Sequence, residues 1–172
     1  MEIKTCTILT SAPMEFSWGY DEENEKCAAL KQLLLNLINL WRIEGMNSFV
    51  VVLDAGVGLY TAEIIGDLRE KDETLSLTCV VPWEEQAAKW TPELRERYFN
   101  VQAKCTNVET VSRQRTENCE LNARLQAIDL ADSVFFVTAT ADDATLVPAV
   151  HYERELEKNV LIFDSGKIDF HS

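Results

Sequence analysis

The chain predicts an α/β fold of three layers, with helices on both faces of a doubly wound, mainly parallel sheet of about six strands. Three observations carry this. Six β-branched or apolar runs alternate with helical patterns without a break. Four of those runs are almost continuously apolar, as strands covered on both faces are. One of them, Phe49-Val50-Val51-Val52-Leu53, passes through Asp54-Ala55-Gly56-Val57-Gly58 straight into a helical pattern, the strand–turn–helix unit of a parallel sheet.

The strands are expected at Thr5–Thr10, Ser48–Leu53, Ser76–Val81, Asn107–Val111, Ser133–Thr138 and Asn159–Asp164. The second, third, fifth and sixth are the apolar ones. The fourth is short and polar, which suits an edge strand or a loop. The first helix is expected over Asp21–Glu44, where Leu30, Leu33, Leu34, Leu37, Ile38 and Trp41 share a broad face and Gly45 supplies a left-handed stop. Leu59–Lys71 repeats the pattern with Leu59, Ala62, Ile65 and Leu68. Thr91-Pro92-Glu93 reads as an N-cap followed by proline in the first turn. Asn118–Leu130 and Thr145–Glu157 supply two more helices. No repeat, linker or low-complexity stretch interrupts the series, so one domain is expected over residues 1–172.

Composition narrows the function. Hydrophobic residues make up 47% and charged residues 26%, an ordinary globular balance. No apolar run approaches the ~20 residues of a membrane span, and Met1-Glu2-Ile3-Lys4 has no signal-like character. Five scattered cysteines without C-x-x-C spacing read as reduced thiols, which points to the cytoplasm. Two histidines leave a metal site few ligands. The net charge of −13 argues against nucleic acid, whose phosphates require a basic footprint. Neither a cofactor nor a metal is expected.

On a parallel sheet, ligands bind outside the carboxyl ends of the strands, near the point where strand order reverses. Thr10 and Ser11 end the first strand, Asp54, Gly56 and Gly58 follow the second, Trp83 and Glu85 the third, and Thr138 ends the fifth. Tyr60 and Glu63 follow on the second helix. A Gly-x-Gly turn before a helix lets backbone approach a phosphate or ribose, but it serves equally as a turn that needs glycine for itself. Asp54 and Glu85 could share acid–base work or bind a ribose hydroxyl; each could also be a rim carboxylate or a helix cap. Arg113 and Arg115 are the cations nearest a strand end. Trp83 and Trp90, seven residues apart, suit packing on the sheet better than stacking a base.

Several stretches resemble one family. Phe16-Ser17-Trp18-Gly19-Tyr20-Asp21-Glu22, Gly56-Val57-Gly58-Leu59-Tyr60-Thr61-Ala62-Glu63 and Pro82-Trp83-Glu84-Glu85-Gln86 with Lys89-Trp90 are similar to the YpsA-like branch of the SLOG superfamily, which also holds the Smf/DprA and LOG families. Arg97-Tyr98, Ile128-Asp129 with Asp132, and Val150-His151-Tyr152 fall where that branch has similar pieces. The resemblance implies a cytosolic Rossmann-like fold, a nucleotide-derived ligand and, for that branch in Gram-positive bacteria, a link to cell division or stress.

The departures fall on the ligand-facing positions. Where the family ends its first strand with Thr-Gly-His-Arg-Pro, this chain has Leu9-Thr10-Ser11-Ala12-Pro13. Val51-Val52 replaces a Ser-Gly pair, Gly58 takes the place of an acid, and Ala144-Thr145-Leu146 matches a Gly-Gly-Thr segment. Six glycines in 172 residues is about half the usual ~7%. Scaffold retained with ligand contacts replaced predicts a non-catalytic protein, either with a degenerate nucleotide-derivative site or acting through a protein partner. The alternative is hydrolysis of a nucleotide N-glycosidic bond, as in LOG relatives, with Glu63 or Glu85 as the carboxylate against the sugar.

Overall fold

The computed structural model describes residues 2–140 and 143–167. Six strands form one sheet: β1 Thr5–Thr10, β2 Ser48–Val52, β3 Ser76–Val81, β4 Asn107–Thr110, β5 Ser133–Thr138 and β6 Asn159–Asp164. Their order is β4-β3-β2-β1-β5-β6 and every neighbouring pair is parallel. The five helices are α1 Glu25–Ile43, α2 Val57–Lys71, α3 Pro92–Lys104, α4 Cys119–Asp129 and α5 Val147–Leu156.

Alternation along the strands divides the core into two layers, because successive side chains point to opposite faces. Ile8, Phe49, Val51, Leu77, Cys79 and Phe135 meet α1, α2 and α3 through Leu34, Ile38, Leu59, Ile65 and Val101. Leu9, Val50, Val80, Val134 and Phe136 meet α4 and α5 through Ala123, Ala127, Ile128 and Ala149. This is the three-layer, doubly wound Rossmann-like arrangement, and the sheet is parallel throughout. The chain steps outward from β1 to β4, then returns by α4 to lay β5 on the other side of β1. The reversal, and with it the expected ligand crevice, lies between β1 and β5.

Local chemistry sets the boundaries. Asn24 caps α1 by accepting the Lys26 N–H at 2.9 Å, so the helix starts at Glu25 rather than Asp21. The preceding loop instead packs Phe16 flat against Trp18, ring centroids 4.8 Å apart. Gly45 follows the helix at φ +106°, the left-handed stop that the sequence predicts. Thr91 caps α3 through the Leu94 N–H at 3.3 Å, with Pro92 opening the helix. Helix α5 starts at Val147, since Thr145 is held in a turn by the Asp143 carboxylate at 3.0 Å.

Two strands depart from expectation. Polar-looking β1 is central and buried at all six positions, with the Thr7 hydroxyl satisfied by the Val50 carbonyl at 2.9 Å. Apolar β6 is not covered on both faces. It is an edge strand, with Val160, Leu161 and Ile162 exposed at 42%, 54% and 47%. Strand order, which follows from the crossovers, puts it there. β4 is the opposite edge, polar and exposed.

Candidate functional site

The carboxyl end of the sheet is built around Asp54. β2 ends one residue before Leu53, and the chain turns at Asp54-Ala55-Gly56 to start α2. Asp54 Oδ1 accepts the backbone N–H of Gly56 at 2.8 Å and of Gly58 at 3.0 Å. Its Oδ2 accepts the Thr10 hydroxyl at 3.4 Å. The first N–H groups of a helix are its natural anion site; here a side chain of the same turn occupies it. Burial pushes the Asp54 carboxyl up to about 6, against the pull of the Gly56 and Gly58 N–H groups and the Arg124 charge.

Both glycines are required by the protein's own atoms. A Cβ on Gly58 would lie 2.4 Å from the Val52 carbonyl oxygen and 2.9 Å from Asp54 Oδ1. A Cβ on Gly56 would lie 2.9 Å from the Pro13 ring. Their close approach is to Pro13 and to the end of β2.

Between β1 and β5 Ser11 bridges the two strand ends. Ser11 continues β1, donates its N–H to the Val137 carbonyl at 3.0 Å, and accepts the Ala139 N–H on its hydroxyl oxygen at 2.9 Å. It is fully buried. Burial would raise the Asp143 carboxyl, but hydrogen bonds from Ser11 and Thr145 outweigh it and hold that group below the usual carboxylate range. One cleft at this end, of about 100 Å³, is lined by Thr10, Pro13, Asp54, Gln86, Glu120 and Arg124, and a second hollow of about 280 Å³, past the ends of β5 and β6, is lined by Ser17, Trp18, Lys26, Ala139, Thr140 and Ser165. Ligand pockets for drug-sized molecules run to ~300–1,000 Å³. A wider hollow of about 590 Å³ lies at the amino end of the sheet, away from the βα turns, where Arg42 pairs with Asp72 at 2.8 Å.

Thr10, Ser11, Asp54, Gly56 and Gly58 lie together at and just past the ends of β1 and β2. Of these, Thr10 and Asp54 line the 100 Å³ cleft, whereas Ser11, Gly56, Gly58 and the other predicted residues do not. Thr138 turns its hydroxyl to the Phe163 carbonyl at 3.3 Å. Trp83 is half-buried with the Arg115 guanidinium 5.5 Å from its ring centre, and Glu85 is exposed. Tyr60 and Glu63 face α1 and α3. There Arg97 bonds Glu22 at 2.7 and 2.8 Å and Glu63 at 2.6 and 3.0 Å, and Lys31 sits 4.3 Å from the Tyr60 ring centre. Burial would raise the Glu22 carboxyl, but Arg97 and Lys31 hold it below its usual range. Because these ions keep about a quarter of their surface in solvent, the network is worth less than a buried one. Arg97→Met is expected to cost about 1–2 kcal/mol, lowering Tm by roughly 3–6 °C, with the loss smaller in molar salt. Thermal unfolding at two salt concentrations checks it.

Sequence reasoning missed Gln86, Glu120 and Arg124. Gln86 Nε2 donates to the Leu53 carbonyl at 2.7 Å, bracing the end of β2, while its Oε1 is buried without a hydrogen-bond partner among the described residues. Glu120 and Arg124, four apart on α4, lie on one helix face. A helix leading into a parallel strand begins at the carboxyl end of the sheet, so the first turns of α4 were the place to look.

An open, six-stranded parallel sheet with a self-capped βα turn at its carboxyl end defines a Rossmann-like α/β protein. Comparison with known proteins gives the family: the profile of the YspA SLOG family (YpsA) matches residues 9–148, and the chain belongs to it. A UPF0398 protein of Lysinibacillus sphaericus (strain C3-41) is 21% identical over 98 residues, which cover 57% of this chain and 55% of that protein. The chain thus spans about half the length of that relative. No helix among the described residues is long and apolar enough to cross a membrane.

Proposed function

We propose that this chain is a non-catalytic SLOG-type protein whose nucleotide-type site is degenerate and filled by its own groups. One observation carries the reading: the Gly56 and Gly58 N–H groups, which would hold a phosphate at the α2 N-terminus, are both bonded to the Asp54 carboxylate. A phosphate there would displace that carboxylate or sit against its charge. The net charge of −13 adds an unfavourable field for any anion. N-glycosidic cleavage finds less support, since Glu63 is committed to Arg97 and Glu85 does not line the cleft.

Thermal-shift and base-release assays test this. A ligand at a hundredfold excess over its Kd would stabilise the fold by about 2.7 kcal/mol, a rise of roughly 5–10 °C. With AMP, NAD and ADP-ribose the expected result is no rise, and release of free base from nucleoside monophosphates no faster than in buffer. Base release lost in Glu85→Gln would instead establish the hydrolase.

A further inference from the structure

The 100 Å³ cleft at the carboxyl end of the sheet is lined by polar groups whose bonding is incomplete. Gln86 is more than nine-tenths buried, at 8% exposure, and its Nε2 donates to the Leu53 carbonyl at 2.7 Å. That bond fixes which way the amide faces, because only its nitrogen can donate to a carbonyl. Oε1 is left buried with no hydrogen-bond partner among the described residues. Asp54 uses Oδ1 for the Gly56 and Gly58 N–H groups, and its Oδ2 has the Thr10 hydroxyl at 3.4 Å, longer than a usual O–H···O bond. The half-buried Arg124 guanidinium acts on the Asp54 and Asp143 carboxylates by charge, with no hydrogen bond or ion pair of its own among the described residues. Glu120, one helical turn before it, is exposed and also lines the cleft.

We propose that this cleft binds a small α-amino acid as its zwitterion, with the carboxylate on the Arg124 guanidinium and the ammonium on Asp54 Oδ2 and Gln86 Oε1. Each end of such a ligand answers a group that the protein leaves short of partners. An ammonium carries three donors, and a carboxylate matches the planar fork of a guanidinium. A buried acceptor without a donor is unfavourable, so a ligand that supplies one gains more there than at an exposed group. Charge selects the class. Asp54, Asp143 and Glu120 set three carboxylates against one guanidinium, which disfavours a simple anion, while a simple cation meets Arg124 as a like charge. A zwitterion places each charge against its opposite and brings no net charge to a chain at −13. Size selects within the class. The cleft has the volume of about three waters, which limits the enclosed part of a ligand to roughly five or six non-hydrogen atoms. Glycine and alanine are of that size. The Gly56 and Gly58 N–H groups stay on Asp54 Oδ1 throughout, so the site is independent of any phosphate binding.

Titration calorimetry of the full chain near neutral pH tests this with four compounds: glycine, L-alanine, glycinamide and N-acetylglycine. Expected is saturable one-to-one binding of glycine, L-alanine or both, with a Kd of about 1 mM or tighter. Glycinamide lacks the carboxylate and N-acetylglycine the ammonium, so neither should saturate up to about 20 mM. Arg124→Gln should weaken the amino acid at least about tenfold and leave Tm within about 2 °C of wild type, because Arg124 bonds no other described residue. No saturable heat with either amino acid, the result if solvent alone satisfies Gln86 Oε1, overturns the proposal. So does binding of glycinamide or N-acetylglycine as tight as that of glycine, or an affinity unchanged in Arg124→Gln. Where the variant does not fold, the four compounds on wild type decide.

Discussion

Gly58→Ala is expected to cost about 3 kcal/mol or more and to lower Tm by roughly 6–12 °C. The added Cβ would meet the Val52 carbonyl oxygen at 2.4 Å and Asp54 Oδ1 at 2.9 Å. The carbonyl ends a central strand, and Asp54 is tied to two N–H groups, so neither can withdraw without loosening the turn. Overpacking against a backbone atom has no cheap side-chain escape. Gly66→Ala, on the same helix, provides the contrast. Its Cβ would lie 3.4 Å from Lys104 Cβ, an ordinary contact, and a glycine inside a helix forgoes about 0.5–1 kcal/mol relative to alanine. That variant should gain roughly 2–3 °C. Thermal unfolding of both checks the pair. Equal gains would mean that glycine acts at both positions only as a helix-breaking residue, and that the close approach at Gly58 is unimportant.

The second large effect is a pH dependence centred on Asp54. Its carboxyl titrates at about 6 in the folded protein against 3.8 ordinarily, because burial outweighs the backbone hydrogen bonds. A raised acid favours the protonated native state. The stability Asp54 contributes is therefore fully present below pH 3.8 and lost as pH rises through about 6. At neutral pH the ionised carboxylate is carried at a cost of about 3 kcal/mol relative to its neutral form. Asp54→Asn keeps an acceptor for Gly56 and Gly58, since asparagine caps as well as aspartate, and Thr10 can reverse its hydroxyl to accept from the amide. The variant should match wild type near pH 4 and exceed it by up to about 3 kcal/mol at pH 7. Denaturant unfolding of both proteins across that range isolates the group, because the other carboxylates titrate alike in each. Parallel curves would show that the Asp54 carboxyl is not desolvated.

Strand positions were legible to within one residue because β-branched runs bounded by turn residues need no tertiary information. Strand environment was not. The β1 sequence Thr-Cys-Thr-Ile-Leu-Thr looks half-polar, yet Thr7 bonds the Val50 carbonyl and Thr10 the Asp54 carboxylate in the centre of the sheet. β6 looks like core and stands at an edge. Position depends on which crossover returns where, and a single strand carries no record of that. The site divided the same way. Thr10, Ser11, Asp54, Gly56 and Gly58 converge because they end or follow the adjacent strands β1 and β2. Tyr60 and Glu63 turn away because each residue of α2 rotates about 100° from the last, carrying them to the α1 and α3 side. Gln86 and Arg124 arrive from a different turn and helix; the Pro82–Gln86 motif and the first turns of α4 hold them, but neither pattern says which side chain reaches the cleft.

Titration calorimetry with AMP, NAD and ADP-ribose tests most directly whether the SLOG-type site of this chain is filled from within. With the α2 N–H groups spent on Asp54, no saturable heat is expected at millimolar ligand. Saturable binding of any of the three with a micromolar Kd would contradict it, by showing that Asp54 gives way to a phosphate.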